Sequence, residues 1–72
     1  MNMLPKKTTM ECLPMIASLY QQSVISAEEK NELVKLIESS DKEGLFKAAN
    51  AIFNKTENRS AKMLLDILYR AN

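Results

Sequence analysis

Leu19-Tyr20-Gln21-Gln22-Ser23-Val24-Ile25-Ser26-Ala27-Glu28-Glu29 is the stretch that decides the fold of this 72-residue chain. It closes one amphipathic run and opens another. Ser26 and Glu29 stand three residues apart, the spacing of a capping box. The serine oxygen can accept from the backbone N–H of Glu29, and the glutamate can reach back to the N–H of Ser26. Ile25, one residue before that cap, can pack against the first turn of the helix it introduces. The stretch reads as a corner between two helices, written in hydrogen bonds local to the turn.

On the N-terminal side, a helical wheel of Met10 to Gln22 places Cys12, Leu13, Ile16, Ala17, Leu19 and Tyr20 on one arc. Glu11, Ser18, Gln21 and Gln22 lie opposite, so this is a helix with a wide core-facing side. Thr8 and Glu11 form a second, weaker capping box, which starts the helix near Thr8. Residues 1–7 are expected to be a flexible arm, with Leu4 able to tuck onto the domain, and residues 8–72 a single helical domain. Pro14 complicates the first helix, because a proline inside it removes a hydrogen bond and crowds the preceding turn. The spacing predicts a break or kink within residues 10–14, or a helix that begins at Pro14 as its first residue.

On the C-terminal side, Leu33, Val34, Leu36 and Ile37 give a second helix, about Ala27 to Glu38, its inner face. Glu28, Asn31, Glu32, Lys35 and Glu38 stay wet. Ser39-Ser40-Asp41 marks the next corner, where Ser40 with Glu43 repeats the box and Asp41 competes as the cap. A third helix over roughly Lys42 to Asn54 turns Leu45, Phe46, Ala49, Ile52 and Phe53 inward. Its small residues Gly44, Ala48, Ala49 and Ala51 let a neighbour come close. Asn54 to Ser60 is polar throughout and is expected to be the longest loop. The last helix starts near Asn58 or Ser60 and ends at about Arg70. Ala61, Met63, Leu64, Leu65, Ile67, Leu68 and Tyr69 cover well over half of its circumference, a sign of burial on several sides.

Composition agrees with this reading. At 46% hydrophobic and 26% charged residues, the chain is too apolar for intrinsic disorder. One glycine and two prolines suit helices with short capped corners better than a sheet with many hairpins. The expected fold is all-α, a compact antiparallel bundle of four short helices, or five if Pro14 divides the first.

Several function classes are disfavoured by what the chain lacks. It has no histidine and no run of glycines, and its glutamates fall on solvated helix faces, so no catalytic constellation is found and no enzyme is expected. Cys12 is a lone cysteine, which makes neither an intrachain disulfide nor a Cys/His metal site. No cofactor or metal is expected. The lone thiol favours a reducing, intracellular setting, cytoplasm or nucleus. No apolar run approaches the roughly 20 residues that span a bilayer, and Met1 to Lys7 has no apolar segment behind its lysines to make a secretory signal.

What remains is an excess of apolar surface on the last helix. Met63 and Ile67 bound that face on one side, Leu65 and Tyr69 on the other. With Met15, these five are the candidate partner-binding residues, since flexible thioethers suit adaptable surfaces. The expected function is a protein–protein interaction or adaptor domain, docking a protein partner or a second copy of itself. The alternative is weak nucleic-acid binding by a basic patch of Lys55, Arg59, Lys62 and Arg70. The net charge of +1 disfavours it, as do four glutamates on the helix after the Ile25-Ser26 corner, where a recognition helix would lie.

Leu19-Tyr20, Ile25-Ser26 and Glu29, followed by Leu33, Leu36 and Ile37, resemble two-helix modules found in short bacterial C-terminal helical domains. More loosely, and through Ala48, Ala49 and Ile52, the pattern resembles the helical domain shared by the steroid receptor RNA activator protein and a COPII outer-coat subunit. That likeness covers about half of the chain and implies a helical fold. The tryptophan of that domain's last helix has no counterpart here, and no function is carried across.

Overall fold

Every corner of the chain is closed by short-range hydrogen bonds, and these set the bounds of four α-helices. The computed structural model describes residues 4–71. Among them, α1 spans Lys6–Gln21, α2 Ala27–Glu38, α3 Lys42–Thr56 and α4 Arg59–Arg70. The Ser26 corner forms as the sequence requires. Ser26 Oγ accepts from the Glu29 N–H at 3.1 Å, and Glu29 Oε1 accepts from the Ser26 N–H at 2.8 Å. At the next corner Asp41 is the cap, its carboxylate accepting from the Gly44 N–H at 2.9 Å. Asn58 caps α4 by accepting from the Ser60 N–H at 2.8 Å.

The helix exits are less ordinary. After α1 the Val24 N–H donates to the Leu19 carbonyl and the Ser23 N–H to that of Tyr20; after α2 the Asp41 N–H donates to Leu36 and the Ser40 N–H to Ile37. Both are Schellman closures, which need a left-handed residue just past the helix, a place where glycine is usual. Here Ser23 takes φ 61° and Ser40 φ 56°. A third left-handed residue, Glu57 at φ 51°, ends α3. The single glycine, Gly44, lies inside α3 instead. A side chain there would come within 2.5 Å of the Asp41 carboxylate and 3.0 Å of Leu36. Its smallness therefore protects the cap and the α2–α3 corner.

Three sequence expectations need correction. The first helix is not divided at Pro14, so there is no fifth helix: α1 runs unbroken from Lys6 to Gln21 with Pro14 inside it. Pro14 is exposed, so its ring lies on the outer side of α1. The carbonyl of Met10, which would have accepted from an N–H at position 14, is left on that same side. The helix also starts two residues before Thr8, with Pro5 at its cap and Thr8 buried, so no Thr8 box forms. Leu4 is buried in the core; Met1 to Met3 of the expected arm lie outside the described residues. Finally, α3 continues through Asn54 to Thr56, which leaves only Glu57 and Asn58 as a connection. The longest connection is instead the five residues from Gln22 to Ser26.

The helices pack as a closed ring, α1 on α2, α2 on α3, α3 on α4 and α4 on α1, and the diagonal pairs do not pack directly. Ser18 and Gln22, near the end of α1, bond to Ser60 and Asn58 at the start of α4. Lys42, at the start of α3, donates to the Ala71 carbonyl just past α4 at 2.8 Å. Both sets of bonds make α4 antiparallel to its neighbours. The core at the centre of the ring holds Cys12, Ile16 and Leu19 of α1, Leu33 and Ile37 of α2, Leu45 and Ala49 of α3, and Ala61, Leu64 and Leu68 of α4. Ile25 of the corner is buried with them. No helix among the described residues is long and apolar enough to cross a membrane.

Candidate functional site

A ring leaves each helix one outward face, and the four faces differ sharply in chemistry. On α2 the outward residues are Glu28, Asn31, Glu32, Lys35 and Glu38, all exposed. On α3 they include Glu43, Lys47, Asn50 and Lys55, with Lys47 and Glu43 paired at 3.5 Å. Among the described residues, the large apolar side chains left in solvent are Met10 (64% exposed), Leu13 (42%) and Tyr20 (42%) of α1, and Met63 (45%) and Tyr69 (76%) of α4. None falls on α2 or α3.

The outer face of α1 is built by its own sequence. No charged residue occurs between Glu11 and Glu28. Cys12, Ile16 and Leu19 turn inward, and helical spacing then carries Met10, Leu13, Pro14, Ala17 and Tyr20 outward. At one edge of this face Lys30 of α2 lies over the Tyr20 ring, 4.7 Å from its centroid, a cation–π contact. At the other edge α1 meets α4 in a shallow groove of about 350 Å³. Pro14, Met15, Met63 and Ile67 give that groove its apolar lining, and Glu11, Asp66 and Arg70 supply charge. Below it, Ser18 Oγ lies 3.1 Å from Ser60 Oγ, and Gln22 donates to both hydroxyls at 2.7 and 3.1 Å. This polar clasp fixes α1 against α4 and so fixes the groove.

The sequence candidates divide between two sides of α4. Met15, Met63 and Ile67 come together in the α1–α4 groove. Leu65, half-buried against the core, and Tyr69, the most exposed of the large apolar residues described, fall by helical spacing on the side of the same helix away from α1. A single flat contact does not take in all five. Met10, Leu13 and Tyr20 are surface residues that the sequence reading does not include. The wheel placed Leu13 and Tyr20 on the core arc, which is wider than a helix with two neighbours can cover. The uncharged run from Cys12 to Ala27 is the signal that could have found them.

The basic candidates are all exposed, but they are dispersed. Lys55 belongs to the last turn of α3, while Arg59 and Arg70 are the two ends of α4, about 16 Å apart at the rise of an α-helix. Lys62 lies between them together with Asp66, whose backbone carbonyl accepts from Arg70 Nε at 3.3 Å.

Cys12 is free and wholly buried. Burial, with a smaller contribution from Glu11, pushes its thiol up from 9.0 to about 11, away from the reactive thiolate. Among the described residues no cluster of three or more histidine, cysteine or acidic side chains could hold a metal ion. Comparison with protein-family models, curated proteins and solved structures gave no match.

Proposed function

We propose that the chain is a non-enzymatic protein–protein interaction domain, of adaptor type, that docks through the outer face of α1 and the groove α1 forms with α4. One observation carries the reading: among the described residues, the large apolar side chains left in solvent are confined to these two helices. Solvent-facing positions on α2 and α3 take charged, amide and small residues instead. A monomer with no partner has no reason to keep methionines, a leucine and a tyrosine together on one side. Docking of this kind draws most of its energy from a few anchors that enter a facing pocket. Met10, Leu13 and Met63 are the anchors assigned here, and the half-buried Met15 and Ile67 are the walls of the groove. An intracellular setting belongs to the same reading, supported by a cysteine that stays free.

The test is covalent capture with the tagged domain in the cells that express it, comparing the native sequence with surface variants. Leu13→Glu and Met63→Glu should lose the captured protein and stay folded by circular dichroism. Asn50→Glu, on the exposed side of α3, should keep it. Capture that survives both charged variants would overturn the reading.

A further inference from the structure

We propose that the α1 face pairs with the same face of a second copy of this chain, antiparallel across a two-fold axis. This rests on the docking reading above and names its occupant. The argument is charge complementarity. The middle of the face carries no charge, since every residue from Cys12 to Gln22 is neutral. Its two ends are opposite in sign. At the start of α1 stand Lys6 and Lys7, both exposed, Lys6 in line with Met10, Leu13, Ala17 and Tyr20 and Lys7 at the margin beside Pro14. At its far end lies the first turn of α2, with Glu28 and Glu29; Glu29 shares a surface depression with Tyr20 and Gln21.

The helix is also wrongly charged for its own dipole. It has no acidic residue in its first turn, no basic residue in its last and no side-chain cap. Lysines at an N-terminus cost stability in the monomer, and a C-terminus with no basic side chain in its last turn forgoes some. Antiparallel pairing removes both faults together. Lys6 and Lys7 come to the carbonyl end of α1 of the second copy, beside the first turn of its α2. A parallel pair would set lysines against lysines and is excluded on the same ground. Lys30, over the Tyr20 ring, keeps its charge and offsets part of that of Glu28 and Glu29, which leaves this end net negative. A surface whose ends are complementary to each other, and whose middle is apolar, is complementary to itself, the condition for a two-fold interface.

The contact is small. α1 is about 24 Å long, so the pair buries less than the roughly 800 Å² per partner of a standard interface and is weak and reversible. The experiment is light scattering over a concentration series up to about 1 mM at low salt, where exposed charges are least screened. The expected mass rises from one chain towards two. Leu13→Glu and Met10→Glu, at exposed positions, should hold the mass at one chain while the helical circular dichroism is unchanged. Lys7→Glu and Glu28→Lys should each weaken association about two- to five-fold, the worth of an exposed ion pair, and the double reversal should restore it. A native mass that stays at one chain throughout overturns the pairing. So do two reversals whose losses add. Neither result by itself overturns the docking reading, because a different protein captured on the same face would still support it.

Discussion

Replacing Leu64 and Tyr69 in separate variants asks where α4 stops being core. Leu64 is 0% exposed and Tyr69 76% exposed on the same helix, little more than one turn apart. Leu64→Ala removes three carbons from a closed site. At about 0.8 kcal/mol per buried carbon the transfer loss is about 2.4 kcal/mol, and the void left behind raises it to about 3–4 kcal/mol. A domain of this length has roughly 4–11 kcal/mol in all. At about 4–8 °C per kcal/mol for a small domain, the midpoint should fall by at least about 12 °C. For Tyr69→Gln only about a quarter of a side chain worth roughly 200 Å² is covered. That is about 1 kcal/mol at most, and glutamine's better helix propensity returns part of it. Its midpoint should stay within about 5 °C. The assay is thermal unfolding by circular dichroism in dilute protein. Equal losses in the two variants would mean that Tyr69 is packed in the folded monomer, and the division of α4 into core and surface would be wrong.

Three further outcomes follow from local geometry. Ser23→Gly and Ser40→Gly should each raise stability by about 0.5–1 kcal/mol in urea unfolding, because a left-handed residue with a side chain costs roughly 1–2 kcal/mol and glycine gives back part of that as chain entropy. Loss of stability in either variant would contradict the Schellman reading. Gly44→Ala should fail to give the usual gain of about 1 kcal/mol for removing a helical glycine, because the new methyl displaces the Asp41 cap; in an Asp41→Ala background more of that gain should appear. Stability should also fall between pH 9 and about 11, the interval between the ordinary and the buried value of the Cys12 thiol. There the unfolded chain has released a proton that the folded chain still holds, so rising pH favours unfolding, by on the order of 2 kcal/mol once the interval is crossed. Cys12→Ala should remove that component of the pH dependence, and an unchanged profile would contradict it.

The parts of the fold legible in the sequence were those governed by short-range chemistry. Ser26 with Glu29 specified one corner because both partners of its two hydrogen bonds lie within four residues. The inward sets of α2 and α3 followed from helical periodicity, and Leu33, Ile37, Leu45 and Ala49 are buried as that periodicity requires. Pro14 misled because its effect depends on which side of the helix it occupies, which is a tertiary fact. Asn54 to Thr56 are polar yet helical, and Thr56 Oγ1 donates to the Ile52 carbonyl at 2.8 Å within the helix. The docking face was half legible. Residue type alone marks Met15, Met63 and Ile67, but their meeting in one groove needs α4 folded back on α1. Leu13 and Tyr20 fall on the apolar arc yet face outward, because a wheel shows the width of an arc, not how many neighbours will cover it.

The central claim is that the outer face of α1 is a contact surface left uncovered in the lone chain. Methyl NMR of the methionines with an inert, soluble paramagnetic probe tests it most directly. In dilute protein the Met10 and Met63 signals should be strongly attenuated and that of the half-buried Met15 much less. As the concentration rises, or when a captured partner is added, the Met10 signal should recover. A Met10 signal sheltered from the probe in dilute protein, or one attenuated equally with and without an occupant, would contradict the account.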